Sequence, residues 1–259
     1  MKHLNISIAL IASALVGCAS RSGPDTRVAG NDKSFETKMF ETEAKIIQGN
    51  APVAQMDLHM IGFHPMKDRP DHQMEAHHFC RQMNEDFAQC ALFDGNTGDS
   101  NLNGVEYIIS ESLFQNLPDE EKQYWHPHNY EILSGQLMTP NLPPSSEKEF
   151  MRKKMNSYGK TWHVWNTGHF GMKDGQSLPM GKPALAWSFN RDGEANAAML
   201  EKAEKQYRIK IKESHVNRMD LIKLAHPQKG VDTLKDSFPV EGVAIEGVRD
   251  SDSAQAMEE

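Results

Sequence analysis

The apolar residues between positions 56 and 109 come in four short runs, and this limits the fold more than any other feature of the chain. They are MDLHMIGFH (56–64), MEAHHFC (74–80), FAQCALF (87–93) and GVEYII (104–109). Runs this short, separated by turn residues, read as strands. In the first, Met56, Leu58, Met60 and Gly62 share one face of an extended chain, and His59, Ile61 and Phe63 share the other. Pro65 and Pro70 are expected to close it with a charged loop. Asn84-Glu85-Asp86 reads as a turn, so the second and third runs form a hairpin flanked by Cys80 and Cys90. These two cysteines are either a disulfide or two buried thiols, depending on the register. The loop DGNTGDSNLNG (94–104) spaces its Asp and Asn like a calcium loop. Val105 stands where such a loop needs a bidentate glutamate, so that assignment is set aside.

Beyond residue 109 helices alternate with further strands. Ser110 caps ESLFQNL, and Pro118 starts PDEEKQYW with acids in its first turn. Residues 130–138 read as a strand interrupted by Gly135. Residues 146–157 form a surface helix with Phe150, Met151 and Met155 inward. Strands are expected over 160–166 and 183–189, and helices over 194–206 and 213–225. The sum is an α+β fold, one domain over 51–226 with a mostly antiparallel sheet and a helical C-terminal region. Residues 227–259 are polar and small, and read as a tail that is partly disordered. The net charge of −8 leaves no basic run able to neutralise several phosphates, so nucleic acid is excluded as a partner.

Residues 1–17 read as an export signal: Lys2 and His3, then a largely apolar stretch from Leu4 to Gly17. That stretch is shorter than the ~20 residues a bilayer span needs. It ends in Leu15-Val16-Gly17-Cys18, which resembles the bacterial lipobox. The resemblance implies that Cys18 is lipidated and becomes the mature N-terminus, so the partner is a membrane reached through acyl chains on Cys18. Ala19 and Ser20 after it imply the outer membrane, with the protein facing the periplasm. Residues 18–50 are a flexible tether. Within it, 39–49 is expected to make a short helix that offers Met39, Phe40, Ile46 and Ile47 for docking.

The densest polar-aromatic stretch is EKQYWHPHNYEILSGQL (121–137). If His126-Pro127-His128 is extended, both imidazoles face one side and can share a cation. A third ligand would come from His77, Glu106 or His163. Histidine with carboxylate suits a divalent transition metal: zinc, iron, manganese or copper. The alternative is that these histidines are buried hydrogen-bonding or stacking residues, and Pro127 stiffens the pair and argues against a strand there. No nucleophile elbow and no complete phosphate loop occur.

Six blocks carry a resemblance over roughly 56–212: EAHHFCRQMNEDFAQCALFD, GVEYIISESLFQNLPDEEK, WHPHNYEILSG, YGKTWHVW, LPMGKPAL and SFNRDG. In order and wording they are similar to the oil body-associated proteins, a family of unknown molecular function. The resemblance implies association with a lipid surface and supplies no activity or cofactor. The expectation is therefore a lipid-anchored envelope protein with a non-catalytic binding or structural role, its partner a lipid or an envelope protein. The alternative is a metal-binding protein or metal-dependent enzyme built on His126 and His128.

Overall fold

The computed structural model describes residues 21–49, 51–168 and 175–255. The export signal and Cys18 lie outside them. A seven-stranded antiparallel sheet forms the body. β1 (Leu58–Met66), β2 (Arg69–Asn84), β3 (Phe87–Phe93) and β4 (Leu102–Ile109) follow one another as a meander. β6 (Tyr158–His163) pairs with β4, and the two-residue strands β5 (His126–Pro127) and β7 (Ala184–Leu185) pair with β6. Past β7 the chain crosses to the other edge. Ala186 bridges Met66, and Trp187 N donates to the Pro65 carbonyl at 2.9 Å. The two edges are thus tied and the sheet curls.

Pairing partners place Met60, Gly62, His64, His78, Leu92 and Glu106 on the face turned toward the main core. That core is closed by buried Tyr130, Ile132, Met138, Met151 and Phe189 from later segments. Cys80 and Cys90 stand directly opposite each other across β2 and β3 and are joined in a disulfide. It closes a short loop, with a sequence separation of 10. Replacing both by alanine is expected to cost about 2–3 kcal/mol by the loop-entropy relation, read as a lower urea midpoint with unchanged slope.

Several sequence expectations are corrected. Pro65 and Pro70 lie inside β1 and β2, and the turn is at Lys67-Asp68. Both are tolerated because β1 is an edge strand and Pro70 is near the first residue of β2. Residues 130–138 do not form a strand. Helix α4 (Asn129–Leu133) takes their first half, and only Met138 keeps a ladder contact, with Ile61. Tertiary partners override the local pattern: Gln228 Oε1 accepts from Asn129 N at 2.9 Å, and Arg218 binds the carbonyls of Ile132 and Leu137 at 2.7 and 2.9 Å. The strands expected over 160–166 and 183–189 are shorter, ending at His163 and Leu185.

Residues 227–255 also depart from the expected tail. Val231, Leu234 and Val248 are buried, and Gln228 pairs in parallel with Asp250. At the N-terminal side, helix α1 (Phe35–Ile47) buries none of its residues, and Phe35, Phe40, Ile46 and Ile47 are exposed. Ahead of it, residues 22–26 are not a free tether. Ser22 N donates to Asn96 Oδ1, Asp25 N to Asp94 Oδ2, and Asn101 Nδ2 to the Thr26 carbonyl. Gly95 lets them in, since a Cβ there would meet the carbonyls of Ser22 and Gly23. Among the described residues no helix is long and apolar enough to cross a membrane.

Candidate metal centre

Glu106 sits in the middle of β4 with its side chain turned inward and buried. Imidazoles approach both of its oxygens. His78 Nε2 is 2.7 Å from Oε2. His128 Nε2 is 3.3 Å and His126 Nε2 3.7 Å from Oε1. His64 completes a second triad with His78 and Glu106, its ring centroid 5.1 Å from that of His78. His64, His78, His126 and His128 are all buried.

The backbone explains the convergence. His64 and His78 point inward by strand alternation. His126 enters through β5, paired with Gly159. His128 is not extended as expected from His-x-His. It is the residue before α4, at φ −110° and ψ −9°, and this bend swings its ring back toward Glu106. Gly159 leaves the space into which these groups point. A Cβ there would lie 2.6 Å from His128 Nε2, 2.7 Å from His126 Nε2 and closer still to Glu106 Oε1.

Outer hydrogen bonds orient the rings. His78 Nδ1–H donates to the Ala76 carbonyl at 3.1 Å, which turns Nε2 toward Glu106. Ser157 Oγ–H donates to the Lys154 carbonyl, so it accepts from His128 Nδ1–H at 2.9 Å, and again Nε2 faces Glu106. A neutral ring then offers its Nε2 lone pair to a cation held at Glu106, whereas a ring also protonated at Nε2 donates directly to the carboxylate. His126 is stronger evidence still, because both of its ring nitrogens are buried without a hydrogen-bond partner.

Electrostatics agree with ligand chemistry. Burial, with neighbouring His128, lowers His126 to about 3, and burial pushes His64 well below the usual histidine range. Both rings stay neutral donors. Burial alone would raise Glu106, but the His78 charge and the hydrogen bonds from His128 and His78 outweigh it and hold the carboxyl well below its usual range. Burial and the Glu106 charge push Glu131 well above. Glu131 lines the same small cavity, about 20 Å³, together with Met60, Leu137 and Lys154. That is room for one water-sized ligand and not for an organic substrate.

Of the residues singled out from sequence, His126, His128 and Glu106 come together here. His163 is one step away, with Nε2 3.2 Å from His64 Nδ1, and it supports that ring. His77 is not part of the centre. It alternates to the opposite face of β2, where it bonds His59 Nε2 (3.0 Å), Glu75 Oε1 (3.1 Å) and the Tyr207 hydroxyl (3.1 Å). His64 and His78 were not among the expected ligands. Their signal was the period-2 alternation on β1 and β2, usable only once the pairing of these strands is known.

Comparison with known proteins agrees with the blocks quoted above. Residues 50–222 match the family described as "Protein of unknown function (DUF1264)". Oil body-associated protein 1B of Arabidopsis thaliana is 37% identical over 196 residues, 76% of this chain and 78% of that protein. Oil body-associated protein 1A of Zea mays is 34% identical over 213 residues, 82% of this chain and 86% of that protein. The chain belongs to the oil body-associated family. No solved structure matches it. The family match contains every residue of the Glu106 centre. Gln228, which bonds the start of α4 from the C-terminal segment, lies beyond it.

Proposed function

We propose that this protein is a lipid-anchored envelope protein whose domain binds a divalent transition metal through Glu106, His126 and His128. The observation that carries the metal reading is His126: two bare, buried ring nitrogens, one of them aimed at a carboxylate oxygen. A merely structural histidine would be bonded to something. The donor set of two imidazoles and one carboxylate suits zinc, iron, manganese or copper. The small closed cavity favours binding over turnover of an organic substrate.

The lipid-surface part rests on the Leu15-Val16-Gly17-Cys18 sequence and on the names of the relatives. It sets the protein at the outer membrane, facing the periplasm, with a lipid or an envelope protein as partner. Cys18→Ser is expected to release it from the membrane fraction, and continued membrane partition would overturn the anchor.

Elemental analysis of the full chain, purified without an affinity tag, tests the metal. Bound transition metal is expected in the wild type, and the His126→Ala/His128→Ala variant should lose at least a hundredfold in affinity at that site. A wild-type protein that stays metal-free after incubation with zinc, iron, manganese and copper salts sinks this reading.

A further inference from the structure

The geometry points to a dinuclear centre in which Glu106 bridges two divalent transition-metal ions. One ion sits at Oε1 with His126 and His128, and the other at Oε2 with His64 and His78. This rests on the metal-binding reading above and extends it from one ion to two.

The same construction occurs twice around one carboxylate. Each triad brings its ligand atoms within 4.8 Å of one another, and the two triads share only Glu106. The carboxylate presents a different oxygen to each: Oε2 lies 2.7 Å from His78 Nε2, and Oε1 lies 3.3 Å from His128 Nε2. Each pair has a glycine beside it, Gly159 on β6 and Gly62 on β1. Gly159 opens the space at His126 and His128. A Cβ on Gly62 would come within 3.1 Å of His78 Cε1 and 3.7 Å of His64 Nε2. Each pair is also tied from outside. Ser157 orients His128, the Ala76 carbonyl orients His78, and His163 holds His64 through Nδ1. Ligands backed by such bonds are characteristic of metal sites.

Two divalent ions carry more charge than Glu106 offsets. Glu131 lines the shared cavity with His64, His78, Glu106 and His128, about 20 Å³ of space in which an ion beside Glu106 would sit. Paired ions a few ångströms apart with a bridging carboxylate are a common arrangement for activating water or a small oxygen species. The ligand class is thus the metal pair itself.

The test is zinc stoichiometry on the full chain, after dialysis against a weak chelator to strip surface ions. Two zinc ions per chain are expected for the wild type. One is expected for His64→Gln/His78→Gln, one for His126→Gln/His128→Gln, and none for Glu106→Gln. A single zinc in the wild type overturns the pair and leaves the one-ion reading standing, whereas no zinc overturns both. Manganese loading of the wild type gives a second readout that needs no variant. Two Mn(II) ions sharing Glu106 should show an exchange-coupled paramagnetic resonance spectrum, and two uncoupled ions would overturn the bridge.

Discussion

Replacing Gly159 by alanine is expected to destabilise the protein by about 3 kcal/mol or more and to empty the His126/His128 side of the centre. The new Cβ would stand 2.6 Å from His128 Nε2 and 2.7 Å from His126 Nε2, distances that real Cβ atoms do not tolerate. Little can yield. β6 is paired on both sides at this point, with Ile108 of β4 and His126 of β5. His128 is tied to Ser157, and His126 packs with its ring centroid 6.1 Å from that of Trp187. The rings must rotate away from Glu106 or the ladder must part, and either removes the place for a cation. Gly62→Ala, with its nearest contact at 3.1 Å, should cost less. Gly98→Ala, where nothing lies within 4 Å, should fall within about 0.5 kcal/mol of wild type. Urea denaturation of the three variants, with metal content measured alongside, checks the order. Equal stability of Gly159→Ala and Gly98→Ala would show that the space beside Glu106 is not filled as described.

The sequence carried the architecture further than it carried the site. Period-2 alternation and a turn at Glu85-Asp86 were enough to place β1, β2, β3 and β4, because these pair with their neighbours in the chain. The long-range parts were not legible. Residues 130–138 look like a strand, yet side chains from far along the chain fix them otherwise: Arg218 takes the carbonyls of Ile132 and Leu137, and Gln228 the amide of Asn129 just before them. The C-terminal segment looks like a tail because its apolar residues are sparse; three of them, Val231, Leu234 and Val248, nevertheless reach the interior. For the site, His126 and His128 stood out by density, and their convergence arises from a bend that the His-x-His rule does not describe. His77 and His78 are adjacent and indistinguishable by type. Only the pairing of β2 decides that His78 faces Glu106 and His77 faces Tyr207.

Arg218→Met is expected to lower stability by about 3–5 kcal/mol, through the loss of a buried cation on which three groups converge. Arg218 closes α7 (Ile211–Arg218) and is only 1% exposed. One guanidinium nitrogen donates to the Ile132 carbonyl at 2.7 Å, and another donates to the Leu137 carbonyl at 2.9 Å and pairs with Glu147. Glu147 belongs to α5 (Pro144–Lys154), so one side chain joins α4, α5, α7 and the segment that follows α4. Methionine keeps much of the volume but leaves two carbonyls and a largely covered carboxylate without their donor. At roughly 2–4 °C per kcal/mol for a chain of this size, the melting temperature should fall by about 6–20 °C. Adding Glu147→Gln to Arg218→Met should recover part of that loss, because the stranded charge is then gone. The effect reaches the centre as well. Ile132 lies on the helix that presents Glu131 and follows His128, so releasing its carbonyl loosens the bend that aims His128 at Glu106. Metal affinity in Arg218→Met should therefore drop about tenfold or more at the His126/His128 position while the His64/His78 position, built on β1 and β2, changes less. An unchanged melting temperature would show that these three contacts do not act as a unit. An equal loss at both positions would show that the bend is not what Arg218 secures.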